Sequence, residues 1–177
     1  MLIVVGSRRD GNCLWLANHV KKELENDRVH AEIIVPGNQR IHLCTGCMDC
    51  DESGVCDFTD DMKGDIEKIR KEDTIMFITP TRWNLLSGDL KIFMDRLNPM
   101  YSRKELVGKK GMVVAVGAKP KDIYSSSAAV ESLRNFLEAA RMECSLVWNF
   151  DDCKDANDLS DKSSEVQKFI AEVRKKA

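Results

Sequence analysis

Apolar runs punctuate the chain at regular intervals. Leu2 to Val5 is uninterrupted and stops at Gly6; Val29 to Val35 is stopped by Pro36-Gly37-Asn38. Thr74 to Thr79 is stopped by Pro80, Gly111 to Val116 by Gly117, and Cys144 to Trp148 completes the set. Leu2 to Val5, Thr74 to Thr79 and Gly111 to Val116 predict strands buried in the core, as in a parallel sheet, and the other two runs read as strands beside them. Between them the apolar period changes to that of a helix. Leu14, Leu16, Ala17, Val20 and Leu24 form one stripe, and Met62, Ile66 and Ile69 a second. Leu90, Phe93, Met94 and Leu97 form a third, Leu133, Phe136, Leu137 and Ala140 a fourth, and Val166, Phe169, Ile170 and Val173 a fifth. A further short run, Arg40 to Leu43, is expected to be extended.

This alternation predicts an α/β fold: a doubly wound, five-stranded parallel sheet with helices on both faces, in the order 2-1-3-4-5. Thr59 is the expected cap of the helix that begins near Asp60 and Asp61. Ser87 is the expected cap of a helix over Asp89 to Asn98 that Pro99 closes, and Ser125-Ser126-Ser127 the start of the next. In such a sheet ligands bind beyond the carboxyl ends of the strands. The loops after Val5, Ile78 and Val116 share that edge.

Composition narrows the function. The chain has 177 residues, 32% charged and 43% hydrophobic, with a net charge of −2. One domain spanning 1–177 is expected. Lysines and arginines are scattered, so a nucleic-acid partner is not expected. No apolar run approaches a membrane span, and the N-terminus lacks a basic leader; a cytoplasmic protein is expected. Seven cysteines in such a chain favour metal or redox chemistry over disulfides.

Four of the seven cysteines, Cys44, Cys47, Cys50 and Cys56, fall in the thirteen residues 44–56, spaced C-x2-C-x2-C-x5-C. Thiolates are soft ligands that select iron–sulfur clusters, zinc or cuprous copper. The two-residue gaps match the opening of a cluster-binding run, with Cys56 available to close a single [4Fe–4S] site. A structural zinc and metal-free thiols stay open as alternatives. Cys144 is expected to be a small core residue, and Cys153 is given no role. His19, His30 and His42 are read as surface residues rather than ligands.

Two loops carry further chemistry. Gly6-Ser7-Arg8-Arg9-Asp10-Gly11-Asn12-Cys13 joins a strand to a helix, so its backbone N–H groups and the helix dipole suit an anion. Ser7 and Asn12 can add hydrogen bonds and Arg9 a charge; the alternative is an ordinary polar loop with an Asn cap. Pro80-Thr81-Arg82-Trp83-Asn84-Leu85-Leu86 sets an aromatic and two leucines at a strand end. These suit either the wall of a flat apolar ligand or packing onto the domain or a partner subunit.

Together these segments resemble a known family. Gly6-Ser7-x-Arg9-x-Gly11-Asn12 resembles the phosphate loop of the NADPH-dependent FMN reductase superfamily. The cysteine run followed by Asp60-Asp61-Met62 resembles its C-x-G-C-x-x-C…C…DDM signature. Ser87-Gly88-x-Leu90-Lys91-x-Phe93-x-Asp95-Arg96 resembles its SGxxKxFxDR helix start. The cysteine spacing, with Cys13 in the place of a usual threonine, is most similar to the archaeal iron–sulfur flavoproteins. The resemblance covers about residues 1 to 150 and implies a flavodoxin-like oligomer carrying FMN and a [4Fe–4S] cluster. Ser7, Arg9, Gly11, Asn12 and Cys13 would hold the FMN phosphate, Cys13 through its N–H. Pro80, Thr81, Arg82 and Trp83 would lie along the flavin ring, with Gly117 opposite; the family usually has Pro-Val-Tyr-Trp or Pro-Val-Tyr-Phe at 80–83. Cys44, Cys47, Cys50 and Cys56 would bind the cluster.

The expected function is therefore that of an FMN-dependent oxidoreductase coupling the cluster to the flavin, between a ferredoxin-type or NAD(P)H donor and a small-molecule acceptor. A homodimer or homotetramer is expected, because Trp83, Leu85 and Leu86 would otherwise stay exposed. Two alternatives remain: an NAD(P)H-dependent FMN or quinone reductase with no cluster, and an electron carrier or zinc-stapled binding protein without its own substrate.

Overall fold

A computed structural model describes residues 1–120 and 126–177. Five parallel strands form one sheet: β1 (Leu2–Val5), β2 (Glu32–Ile34), β3 (Thr74–Pro80), β4 (Lys110–Val116) and β5 (Glu143–Phe150). Their order is β2-β1-β3-β4-β5, as the apolar runs predict. The helices are α1 (Asn12–Asn26), α2 (Asp49–Ser53), α3 (Met62–Lys71), α4 (Gly88–Asp95), α5 (Asn98–Ser102), α6 (Ser127–Ala139), α7 (Asp158–Asp161) and α8 (Ser163–Lys176).

Strand side chains alternate between two cores, one on each face of the sheet. Leu2, Val4, Ile75, Phe77, Val113 and Ala115 meet α3, α4 and α6. Ile3, Val5, Met76, Ile78, Met112 and Val114 meet α1 and α8. β1 and β3 are buried along their whole length. Each such Val, Leu or Ile contributes roughly 1.5–3 kcal/mol, which holds the strand ends in fixed register.

That register builds the ligand edge. Backbone bonds continue past the strands: Gly6 N–H donates to Ile78 O at 2.8 Å, Thr81 N–H to Val116 O at 2.9 Å, and Gly117 N–H to Phe150 O at 2.8 Å. Three loops far apart in sequence are thereby tied side by side. Gly6 is required there for close approach, since a Cβ would lie 2.5 Å from Ser87 Oγ.

Several expectations are corrected. Arg40 to Leu43 is not a strand. Its N–H groups go to carboxylates instead: Arg40 N–H to Asp61 at 2.7 Å and His42 N–H to Asp60 at 2.9 Å. Thr59 does not cap α3, which begins at Met62 with Asp60 Oδ1 accepting Met62 N–H. Ser87 does cap its helix, accepting Leu90 N–H at 3.3 Å. That helix ends at Asp95, and Pro99 sits in the first turn of α5, where a missing N–H costs nothing. Cys144 is exposed at the start of the edge strand β5 rather than in the core. Ser125, expected to open a helix, lies outside the described residues; the helix is described from Ser127.

One buried carboxyl yields a pH prediction. Asp65 on α3 is 1% exposed and accepts a bond from Gln39 Nε2 at 3.2 Å. Its Oδ2 and Gln39 Oε1 are buried without partners. Burial pushes the Asp65 carboxyl up to about 6 against the pull of Gln39 and Lys68. A folded-state pKa above the unfolded one favours the protonated form. Its stabilising contribution is thus complete below about pH 4 and is lost as pH rises through about 6. Asp65→Asn is expected to stabilise the fold at pH 8 by about 1–3 kcal/mol and to leave it nearly unchanged at pH 4. Thermal unfolding at the two pH values reads this out, and equal effects at both would contradict it.

Candidate functional site

Two cavities carry the chemistry. The first, of about 160 Å³, lies beyond the carboxyl ends of β1, β3 and β4. Eight of the residues expected at the flavin site line it: Ser7, Arg9, Gly11, Asn12, Cys13, Pro80, Thr81 and Arg82. Val116, Ala118, Cys153 and Lys154 complete the wall. The N-terminus of α1 points here, and no side chain caps it. Its first-turn N–H groups and dipole thus favour an anion, and Arg9, Arg82 and Lys154 add positive charge.

The thiols do not oppose that charge. Burial pushes Cys13 up to about 12 and Cys153 up to about 11, so both are neutral at physiological pH. The donor set, namely helix N–H groups with arginine and lysine and no thiolate, fits the phosphate of a flavin mononucleotide.

Three placements differ from the expected ones. The Asn12 side chain is occupied elsewhere: its Nδ2 donates to Asp155 O at 2.7 Å, and its Oδ1 accepts Leu159 N–H at 3.1 Å. It ties the 151–162 segment over the cavity and so brings Cys153 and Lys154 to the wall. Nothing local in the sequence marks those two residues; the tether crosses about 145 positions. Gly117 does not line the cavity, although its neighbours Val116 and Ala118 do. Its backbone is bonded to Phe150 and Cys153. Trp83 is absent from the wall as well. Arg82 and Leu85 exchange two backbone bonds, at 2.8 and 3.0 Å, around a turn with φ 50° at Trp83 and 63° at Asn84. The turn holds Trp83 outward, 98% exposed.

The second cavity belongs to the cysteine segment. Cys44, Cys47, Cys50 and Cys56 all line it, with Phe58, Arg96 and Pro99 among the other walls. All four are free thiols; Cys50 is buried, Cys56 half-buried, and Cys44 and Cys47 exposed. Gly46 (φ 68°), Met48 (φ 68°) and Gly54 (φ 66°) supply the left-handed turns that wrap the chain. The sequence does not foreshadow α2, one turn of helix inside the loop that carries Cys50.

A buried ion pair closes the loop. Asp60 and Arg96 are each 2% exposed at the side chain and bond at 2.6 and 3.1 Å. Arg96 Nη1 also donates to His42 O at 2.8 Å. His42 and Phe58, two residues outside either end of the cysteine run, stack at 5.0 Å, and Arg96 lies 5.1 Å over the Phe58 ring. Burial alone would raise the Asp60 pKa; the hydrogen bonds and charge of Arg96, with those from His42, outweigh it and hold the carboxyl down at about 2. Asp60 and Arg96 are the Asp and Arg of the two sequence signatures, and the pair joins them.

The sulfur spacing bears on what can be held. Tetrahedral zinc at Zn–S of about 2.3 Å requires sulfurs roughly 3.8 Å apart. Among the described residues, the ligand set gathered within 4.8 Å is Cys47 with the exposed Asp49 and Asp57, not three or four of the cysteines. Four thiols around one cavity without closer gathering fit a group wider than a single ion. Among the described residues no helix is long and apolar enough to cross a membrane.

Residues 1–147 match the family model of "NADPH-dependent FMN reductase". An iron–sulfur flavoprotein of Methanocaldococcus jannaschii is 28% identical over 129 residues, covering 73% of this chain and 66% of that protein. One of Archaeoglobus fulgidus is 31% identical over 124 residues, covering 68% of this chain and 56% of that protein. The chain thus aligns with about two thirds or less of either relative's length. A mutant flavodoxin from Pseudomonas aeruginosa shares the fold, with TM-score 0.61, 16% identity, and 98% and 97% of the two chains covered.

Proposed function

The chain belongs to the NADPH-dependent FMN reductase family, and from that premise we propose that it is an FMN-dependent oxidoreductase whose cysteine loop carries a [4Fe–4S] cluster. Residues 1–177 act as one flavodoxin-like domain in this reading. The observation that carries it is that all four cysteines of C-x2-C-x2-C-x5-C line a single cavity. The names of the archaeal relatives support the same reading.

When bound, FMN supplies one- and two-electron chemistry and the cluster one-electron transfer. The rest falls to this chain's residues. The α1 N-terminus, Ser7, Arg9 and Lys154 bind the phosphate. Pro80, Thr81 and Arg82 would lie along the ring, Thr81 and Arg82 supplying the polar side chains. Cys44, Cys47, Cys50 and Cys56 ligate the metal. The donor in this reading would be NAD(P)H or a ferredoxin-type protein, and the acceptor a small molecule. Exposed Trp83, Leu85 and Tyr101, beside an apolar cavity of about 690 Å³ that includes Leu85, Leu86, Met94 and Phe136, support a homo-oligomer.

Anaerobically purified protein is expected to contain about four irons per FMN. In Cys47→Ala the iron is expected to fall below a tenth of that with FMN unchanged, because the cavities use separate loops. Flavin without iron in the wild type, bleached directly by NADPH, would instead identify a plain FMN or quinone reductase. Equimolar zinc without flavin would identify a zinc-stapled binding protein. Loss of FMN together with iron in Cys47→Ala would overturn the two-site layout.

A further inference from the structure

One nitrogen of the Arg96 guanidinium is without a partner. Its side chain is 2% exposed. Nη1 and Nη2 are taken by Asp60 and His42 O. Nε is buried and has no partner, which normally costs about 1–3 kcal/mol. The residue lines the cavity that the four cysteines share. Asp60 and Cys56 are the two side chains close enough to act on its charge and its N–H groups, and Asp60 is already engaged by the Nη atoms. Phe58 covers the guanidinium face, so water has no route to Nε from that side.

We propose that Arg96 is a positioning residue for the metal group: its Nε–H donates to the sulfur of Cys56 once that sulfur is a ligand, and this bond favours the reduced cluster. The inference rests on the cluster reading given above. Reduction adds one electron, hence one negative charge, to a group held by four thiolates, and hydrogen bonds to the sulfurs are what set such potentials. Asp60 offsets the guanidinium charge at longer range, so the local donor at Cys56 is what remains. The same residue therefore fixes the loop through Nη and tunes its ligand through Nε.

Arg96→Lys separates the two roles, because it keeps a cation for Asp60 and replaces Nε–H with a methylene. Anaerobic iron assay and redox titration of the cluster are the readouts. Expected is wild-type iron with about tenfold less reduced cluster at a fixed solution potential, a midpoint about 59 mV lower for one electron. Iron retained with an unchanged midpoint overturns the assignment and leaves the cluster reading standing. Absence of iron from the wild type overturns both. Should Arg96→Lys alone fail to load, the pair Asp60→Asn with Arg96→Gln decides: loading with a lowered midpoint supports the role, and failure to load reduces Arg96 to a structural clamp.

Discussion

Asp60→Ala is expected to destabilise the protein by about 3–5 kcal/mol, lowering the melting temperature by about 10 °C. The substitution leaves the Arg96 guanidinium buried with neither counter-ion nor acceptor for two of its bonds. Arg96 follows directly on α4, whose Leu90, Phe93 and Met94 are packed in the core, so the charge cannot reach water without disturbing that helix. The same carboxylate also accepts from His42 N–H, His42 Nδ1 and Met62 N–H. The entrance to the cysteine loop should therefore open, and bound iron should fall. The sign with pH follows from the depressed carboxyl. The contribution is complete above the unfolded pKa near 4 and is lost as pH falls through about 2. Adding Arg96→Met should restore most of the lost stability, since a buried charge is what the single substitution strands. A melting temperature within 2 °C of wild type for Asp60→Ala would show that the pair carries no such weight.

Ser7→Glu is expected to weaken FMN binding at least 100-fold, about 2.7 kcal/mol or more. Ser7 is 9% exposed in the wall of the phosphate cavity, beside the uncapped N-terminus of α1. A carboxylate there takes the N–H groups and repels a phosphate dianion. Riboflavin, which lacks the phosphate, provides the control: its affinity should change less than fivefold. Fluorescence titration with both flavins, alongside circular dichroism to verify the fold, reads the result. Equal weakening for the two flavins would place the effect on the ring or on folding, and unchanged FMN affinity would put the phosphate elsewhere.

The sheet was legible because short apolar runs, three of them without polar alternation, recur between helical periods, which leaves few arrangements other than a central parallel sheet. Ser87 was legible as a cap because the signal is local, a serine three residues before the N–H that it accepts. Arg40 to Leu43 misled for a related reason. Its period suits a strand, but its N–H groups find the carboxylates of Asp60 and Asp61, about twenty residues on. Cys144 misled because a small apolar residue in a strand reads as core, whereas at the start of the edge strand, whose position the order 2-1-3-4-5 already implies, the chain stays open to solvent. Trp83 looked like a wall of the ligand cavity, and the turn formed with Asn84 and Leu85 carries it outward.

The sequence by itself determined the layer architecture, the strand order and the sheet edge at which the loops after β1, β3 and β4 meet, and it marked the four cysteines that line one cavity. These follow from local period, glycine and proline punctuation and ligand spacing, all short-range properties. Only the tertiary structure decided which charges surround those groups. Lys154 reaches the cavity at the ends of β1, β3 and β4 because Asn12 tethers a segment more than 140 residues away. Arg96 meets Asp60 and the cysteines because α4 packs against the entrance of their loop. A buried cation must find its partner or destabilise the fold, and which partner it finds is set by packing that no single segment encodes.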